Sequence, residues 1–210
     1  MVYLDFPKEQ YKQVVTQKNQ IVLHHTGSGS NAEGVARYWK GNPKKIATGF
    51  IIDASGELYQ LFDSKYCGYH LGVSKREFNH FGLPYKQLNF SSIGLELTCW
   101  GALTCKYDKF YNWVGKEIPK ENVQVYEDKF RGEYFYEKYT DAQLERTART
   151  LKYWNKRWDI PLDYNEDMWA ISKNALMGKP GIYTHVSYRL TGKWDCHPQP
   201  ELIQMLKSLK

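Results

Sequence analysis

The first buried segment of the chain is QIVLH at residues 20–24, and it runs directly into the loop HTGSGS at residues 25–30. A short β-branched and apolar run that is closed by glycine and serine predicts a buried strand ending in a flexible loop. His24 therefore lies at the end of that strand. Because neighbouring side chains of a strand point to opposite faces, only one of His24 and His25 can face a common site, and we expect it to be His24.

The segments that follow predict further strands and a helix. Residues 31–39 have helical character and are stopped by Gly-Asn-Pro at 41–43. The runs GFII at 49–52 and ELYQLF at 57–62 flank a turn, which predicts a hairpin. SIGLEL at 92–97 predicts another buried strand, with one charged residue in its middle.

The second half of the chain predicts two helices and an insertion. Thr140 and Gln143 form a capping box, and apolar residues recur at helical spacing, so a helix is expected from about 141 to 158. Residues 182–185 predict a short extended segment, and an amphipathic helix is expected over 201–209. Residues 100–139 are polar and aromatic and are interpreted as an inserted subdomain. The pattern predicts an α/β fold, a mixed central β-sheet flanked by helices, in a single domain over residues 1–210.

Composition excludes some classes of protein and leaves others open. The chain has 210 residues, of which 42% are apolar and 25% charged, which excludes intrinsic disorder. Its longest apolar runs are too short to cross a bilayer. The net charge of +6 favours an anionic partner, which could be nucleic acid, acidic lipid or cell wall. Aromatic residues make up 16%, which suits a carbohydrate or peptide groove as well as a core.

The termini and cysteines bear on the compartment. The N-terminus has no basic start followed by an apolar segment, so we expect a protein that is cytoplasmic as synthesised. The four cysteines include no C-x-x-C pair. Cys99 and Cys105 are close enough in sequence to bridge in an oxidising compartment, but free thiols are expected without a secretory signal.

The histidines suggest a metal site. Zinc is bound by nitrogen, sulfur or oxygen, and a catalytic site keeps three protein ligands and one open position. His24, His185 and Asp195 satisfy that count, and the ten-residue interval from 185 to 195 lets the chain turn back. If Cys196 or His197 joined them, the site would close with four ligands and be structural.

Three segments in this order resemble the zinc-dependent N-acetylmuramoyl-L-alanine amidases of the amidase type 2 group. They are HHT at 24–26, SIGLEL at 92–97, and His185 followed by Lys193-x-Asp195. The group includes phage amidases, the cytosolic muropeptide-recycling amidase and the peptidoglycan recognition proteins. The resemblance covers residues 18 to 205, apart from the insertion.

The resemblance implies roles for individual residues. Zinc would be held by His24, His185 and Asp195. Glu96 would act as the general base and acid and Lys193 would stabilise the oxyanion. His70 and Asn89 are candidate substrate-binding residues. The phage enzymes use a Tyr where this chain has Thr48, and the recycling enzymes use a Glu that this chain supplies as Glu96, so the recycling subtype is nearer.

Several alternatives stay open at this point. Cys196 could replace Asp195 as the ligand, Glu96 could pair with an arginine, and Lys193 could be a solvated loop residue. The family's frequent acidic residue two positions after the second histidine is Ser187 here, which leaves one orienting partner in doubt.

At the level of function, we expect hydrolysis of the amide bond between muramic acid and L-alanine, in a phage or prophage lytic enzyme. The alternatives are a cytosolic recycling amidase and a non-catalytic peptidoglycan-binding module. The expected partner is peptidoglycan or a muropeptide, with no nucleic acid and no membrane insertion, and the expected state is a monomer. An endolysin of this kind would act on the cell wall after release.

Overall fold

The computed structural model describes residues 1–209. Within them the strands are β1 Val2–Tyr3, β2 Gln20–His25, β3 Phe50–Ile52, β4 Leu58–Gln60, β5 Ser92–Leu97, β6 Ala102–Lys106, β7 Lys109–Tyr111, β8 Glu117–Ile118, β9 Val123–Phe130, β10 Glu133–Glu137 and β11 Gly181–Thr184. The helices are α1 Ala32–Lys40, α2 Lys75–His80, α3 Asp141–Trp158, α4 Lys173–Met177 and α5 Pro200–Lys207.

The predicted mixed sheet has the strand order β1-β4-β3-β5-β2-β11. Strand β2 is parallel to both of its neighbours, β5 and β11, while β3 and β4 form the predicted antiparallel hairpin. The pairing of β2 with β5 places His24 directly opposite Glu96. Paired residues of neighbouring strands point to the same face, so these two side chains share one side of the sheet.

Helices cover both faces of the sheet. Successive strand residues point to opposite faces, and because both sets are apolar, each face needs a covering layer. Leu23 and Leu95 pack against Trp154 of α3 and Leu202 of α5 on one face. Val22 points the other way, into a layer that contains residues of α2 and α4. The face that carries His24 is the one beneath α2 and α4, and it bears the site.

Helix α3 matches the predicted limits, and its start has a clear cause. The hydroxyl of Thr140 accepts from the amide of Gln143, and the Gln143 side chain accepts from the amide of Thr140. These two bonds satisfy amides that have no partner inside the helix. The helix ends at Asp159, which adopts a left-handed conformation.

The insertion forms a second sheet of its own. Strands β6 to β10 are ordered β8-β7-β6-β10-β9, and all of the paired neighbours are antiparallel. A small apolar cluster of Leu103, Phe110, Ile118 and Val123 holds it together. The segment that was interpreted as an insertion is therefore a five-stranded antiparallel sheet.

A few details differ from the sequence-based expectations. The last helix begins at Pro200, and His185 opens a short 3-10 turn after β11 where an extended residue was expected. Cys67, Cys99 and Cys196 are buried, Cys105 is exposed, and all four are free thiols. Across residues 1–209 the structure contains no helix with the length and hydropathy of a bilayer span.

Candidate active site

Three potential metal ligands converge at the end of β2. The Nδ1 atoms of His24 and His185 lie 3.0 Å apart, and Oδ2 of Asp195 lies 3.1 Å from the first and 2.9 Å from the second. All three residues are buried. Among the described residues this is the group of histidine, cysteine and acidic side chains that could hold a metal ion.

Strand pairing brings these distant residues together. His24 lies near the end of β2, and His185 directly follows β11, whose Thr184 is paired with Leu23. Asp195 arrives from the loop after β11, and its carbonyl oxygen accepts from the amide of Val186. His25 points to the other side of the strand, where its Nδ1 lies 2.9 Å from the hydroxyl of Tyr139.

In both histidines, the contact made by the outer ring nitrogen, Nε2, determines whether the inner nitrogen, Nδ1, has a lone pair available for a metal. Nε2 of His185 lies 2.9 Å from the carbonyl oxygen of Leu71, which can only accept, so this nitrogen carries the proton and Nδ1 presents a lone pair. Nε2 of His24 lies 2.9 Å from Nδ1 of His70, whose Nε2 lies 3.0 Å from Oγ of Ser92. When His24 donates along this chain, its Nδ1 also presents a lone pair.

The donor set therefore fits a cation. When both rings carry their proton on the outer nitrogen, two unprotonated nitrogens and a carboxylate oxygen face one another at about 3 Å, an arrangement that repels itself unless a positive charge sits between. Two nitrogens and one oxygen are ligands that zinc accepts, and three protein ligands leave a position open. The residues present fit the zinc that the sequence resemblance implies.

Two candidate residues from the sequence, His70 and Asn89, help to position the ligand histidines. A Cβ atom at Gly94 would lie 2.6 Å from Thr48 and 3.0 Å from His70, so the glycine of SIGLEL makes room for the ring that contacts His24. Oδ1 of Asn89 accepts from the amides of His70 and Leu71. His70 and Asn89 also line the cleft described below.

Glu96 is buried beside this group and is not paired with an arginine in the structure. It is 8% exposed, and its Oε2 has no hydrogen-bond partner. Burial raises its pKa well above the usual value, and the negative charge of Asp195 raises it further, while Lys193 opposes the shift. A buried carboxyl with a free oxygen can take up and release a proton.

The protonation states of His24 and Asp195 follow from their burial and from their contacts. Burial lowers the pKa of His24 to about 4, and the neighbouring His185 adds to the effect, so His24 is neutral near pH 7. Burial alone would raise the pKa of Asp195, but attraction to His185, and the ring N–H groups that His185 and His24 turn toward the carboxylate when no cation is bound, hold that pKa well below the usual value. Asp195 is therefore an anion.

Cys196 and His197 lie outside the ligand group. Cys196 is fully buried in the core between α3 and the sheet. The ring of His197 stacks on Tyr136 and Tyr139 at 4.7 and 4.6 Å between centroids. Ser187, which stands where relatives carry an acidic residue, donates to the carbonyl of Met168.

Comparison with known proteins bears on this geometry. Residues 14–200 match the family model described as N-acetylmuramoyl-L-alanine amidase. The chain belongs to this amidase family. Its enzyme class is that of the N-acetylmuramoyl-L-alanine amidases.

Solved structures with the same fold are distant in sequence from this amidase. The structure of PlyL has 13% identity and a TM-score of 0.56, and the match covers 100% of this chain and 98% of that one. A mutant endolysin from Bacillus subtilis has 15% identity and a TM-score of 0.56, covering 99% and 96%. An AmpD derivative has 16% identity and a TM-score of 0.55, covering 98% and 93%. At these identities the likeness concerns the fold alone. No curated protein matches the chain.

A basic cleft of about 810 Å³ opens on one side of the ligand group of the amidase. It reaches His70, Asn89 and His185 at its inner end. The cationic side chains along it are Lys8, Lys12, Lys44, Lys45, Arg189 and Lys193. Lys193 is half-buried and lines this cleft as well as a second one, which includes Asp195.

The insertion of the amidase holds the loop that carries Asp195, a role that sequence reasoning did not identify. Nε of Arg131, at the turn between β9 and β10, donates to the carbonyl of Lys193, and its Nη2 donates to the carbonyl of Arg189. The indole nitrogen of Trp194 donates back to the carbonyl of Arg131. No local sequence pattern indicates that Arg131 supports this loop, because the residues it contacts are about 60 positions away.

Proposed function

We propose that this amidase hydrolyses the amide bond between N-acetylmuramic acid and L-alanine in peptidoglycan, using a zinc ion held by His24, His185 and Asp195. The observation that carries the proposal is the position of Glu96, a buried carboxyl with a free oxygen opposite His24 on the same face of the sheet. Family membership supports peptidoglycan amidase chemistry, the buried cluster of His24, His185 and Asp195 supports the proposed metal site, and the free oxygen of Glu96 supports the proposed acid–base role.

The residues divide the reaction between them. Zinc, when bound, supplies Lewis acidity that polarises the scissile carbonyl and acidifies water. Glu96 takes the proton of the attacking water and delivers it to the nitrogen of the leaving L-alanine. Its raised pKa makes it a stronger base toward the attacking water than an exposed carboxylate, and its free oxygen leaves room for the proton on the way to the leaving nitrogen.

Lys193 and the basic cleft would handle negative charge. The ammonium group of Lys193 would stabilise the oxyanion of the tetrahedral intermediate, and this role is supported by the position of Lys193 in the lining of both clefts next to the ligand group. The stem peptide of peptidoglycan carries free carboxylates, and the cationic side chains of the basic cleft match that charge. We place the peptide half of the substrate there.

The setting that fits best is a phage or prophage lytic enzyme. The net charge of +6 favours contact with an anionic cell envelope, and one of the proteins with the same fold is an endolysin from Bacillus subtilis. A recycling amidase would use the same chemistry on soluble fragments. Activity on intact sacculi that exceeds activity on soluble muropeptides supports the lytic role, and the reverse ratio contradicts it.

The decisive experiment is a digest of purified cell wall analysed by mass spectrometry. Release of stem peptides with a new N-terminal L-alanine, and of unmodified muramic acid, is expected. Glu96→Gln should abolish this release while zinc stays bound, and the exposed Glu121→Gln is the matched control that should leave it unchanged. Full activity of Glu96→Gln would remove Glu96 from the reaction.

A further inference from the structure

Two exposed tryptophans line the second cleft next to the ligand group, which shares Lys193 with the basic cleft. Trp113, in the insertion, is 72% exposed, and Trp194, two positions after Gly192 in the loop that carries Asp195, is 41% exposed. Both line a cleft of about 330 Å³ whose inner wall includes Lys193 and Asp195. Large apolar side chains left in water at the mouth of a cleft are typical of a binding surface.

Each of these tryptophans is held in place by a hydrogen bond to the opposite part of the molecule. The indole nitrogen of Trp113 donates at 2.7 Å to the carbonyl of Gly27, in the loop after β2. The indole nitrogen of Trp194 donates at 3.1 Å to the carbonyl of Arg131, in the insertion. Because the polar edge of each ring is already satisfied, what the rings offer to a ligand is their flat faces.

The cleft continues outward along more aromatic surface. Trp100 and Trp113 also line a neighbouring cleft of about 830 Å³ between the insertion and α1, which includes Tyr38 and Trp39. The rings of Trp100 and Trp113 meet edge to face with centroids 6.0 Å apart. The two clefts share these rings together with Thr26 and Gly27, so one aromatic path leads from Asp195 to the far side of the insertion.

We infer that this aromatic path, defined by Trp113, Trp194 and Trp100, is a saccharide subsite that binds the glycan strand of the substrate. This inference rests on the proposed function, because it places the sugar half of the substrate in the aromatic cleft beside the ligand group and the peptide half in the basic cleft. Pyranose rings present C–H faces that pack on flat aromatic rings and hydroxyl groups that need polar neighbours. The cleft supplies both, with Glu133 and Lys193 as polar residues on its walls.

The chemistry of the two clefts separates the two halves of the substrate. Six cationic side chains line the basic cleft, which suits carboxylates, whereas Lys193 is the cation on the wall of the smaller aromatic cleft. A glycan backbone of N-acetylated sugars is rich in apolar ring faces and poor in charge. The insertion thus makes the amidase specific for sugar chains longer than the single muramic acid residue that carries the scissile bond.

Binding can be tested without hydrolysis. A peptide-free tetramer of N-acetylglucosamine is titrated into the zinc-loaded protein and followed by isothermal calorimetry and tryptophan fluorescence. Trp113→Ala and Trp194→Ala should each weaken binding by about fivefold or more, which corresponds to the loss of one aromatic contact. Trp113→Phe and Trp194→Phe, which keep a flat ring, should recover part of the affinity.

Tyr107→Ala is the matched control for these variants. Tyr107 is a 99% exposed aromatic residue at the β6–β7 turn and lines neither cleft, so its removal should not change binding. Thermal unfolding of each variant checks that the insertion remains folded. Equal affinity of wild type and both alanine variants would overturn the subsite, as would absence of binding by the wild type.

Kinetics give a second, independent readout. The wild type should cleave a muropeptide that carries several sugars with a higher kcat/KM than one that carries muramic acid alone, and Trp113→Ala should reduce that ratio to near one through KM. A ratio that is the same in wild type and variant contradicts the inference. If no substrate were cleaved while the tetramer still bound in a tryptophan-dependent way, the proposed function would fail and the saccharide subsite would stand.

Discussion

The Nε atom of Arg131 donates a hydrogen bond of 2.8 Å to the carbonyl oxygen of Lys193, and this contact joins the insertion to the loop that carries Asp195. Nη2 of the same guanidinium holds the carbonyl of Arg189 at 3.0 Å. One side chain therefore spans the loop just before the carboxylate ligand. The insertion is in this way part of the support of the site.

Replacing Arg131 by alanine should loosen that loop. We expect Arg131→Ala to lower zinc affinity or kcat by roughly tenfold, the low end of what is lost when a group that orients a ligand is removed. Zinc titration with a competing chelator and amidase kinetics measure the two effects. Lys129→Ala, an exposed cation of the same hairpin, is the control, and equal losses in both variants would show a general effect on the insertion.

The assignment of the third ligand can be tested by zinc content. Asp195→Ala should reduce bound zinc to well below one per chain, because Oδ2 of Asp195 completes the group with the two histidines. Cys196→Ser should retain zinc, since Cys196 is buried in the apolar core. Metal analysis after dialysis decides the matter, and the opposite pattern would make Cys196 the ligand.

His70 should affect the metal without touching it. Its Nδ1 lies 2.9 Å from Nε2 of His24, so His70→Ala removes the acceptor that fixes the proton of His24 on the outer nitrogen. Loss of such a partner commonly costs about 10–100-fold in metal affinity or activity. The measurement is zinc affinity by competition, with His80→Ala, an exposed histidine, as the control. Unchanged affinity in His70→Ala would remove this orienting role.

The buried side chain of Lys18 should make the stability of the protein depend on pH, independently of the active site. It is fully buried, and its Nζ donates at 2.7 Å to the carbonyl of Phe90. Burial lowers its pKa from 10.5 to about 8, although the charge of Cys67 opposes this. Between these two values the unfolded chain binds more protons than the folded one, so the free energy of unfolding rises with pH, whereas below pH 8 the buried charge reduces stability.

The size of this effect can be isolated by a variant. The stability of wild type relative to Lys18→Met should increase by about 2 kcal/mol between about pH 7.5 and pH 9.5. Urea unfolding at several pH values measures it. Lys86→Met is the matched control, because Lys86 also donates to a backbone carbonyl but is exposed, and its difference from wild type should stay flat.

Much of the fold could be predicted from local patterns. The capping box at Thr140 and Gln143 and the apolar spacing after it gave α3 its limits, and the runs at 20–24 and 92–97 gave two central strands. Such features depend on residues within a turn or two of one another. The start of the last helix at Pro200 and the 3-10 turn at His185 departed from expectation, because helix ends depend on what packs around them.

The sequence by itself determined the residue types of the site and the alternation that sends His24 and His25 to opposite faces, since these follow from chain chemistry and from the period of a strand. Only the tertiary structure decided which side chains meet. Parallel pairing of β2 and β5 sets His24 opposite Glu96, and the loop after β11 brings Asp195 to both histidines. Folding of the insertion brings Arg131 and Trp113 into contact with loops that are far away in sequence. The physical reason is that these contacts, apart from the one between His185 and Asp195, join residues separated by about 60 to 170 positions, and the choice among such contacts is made by burial of the whole core, which no short stretch encodes.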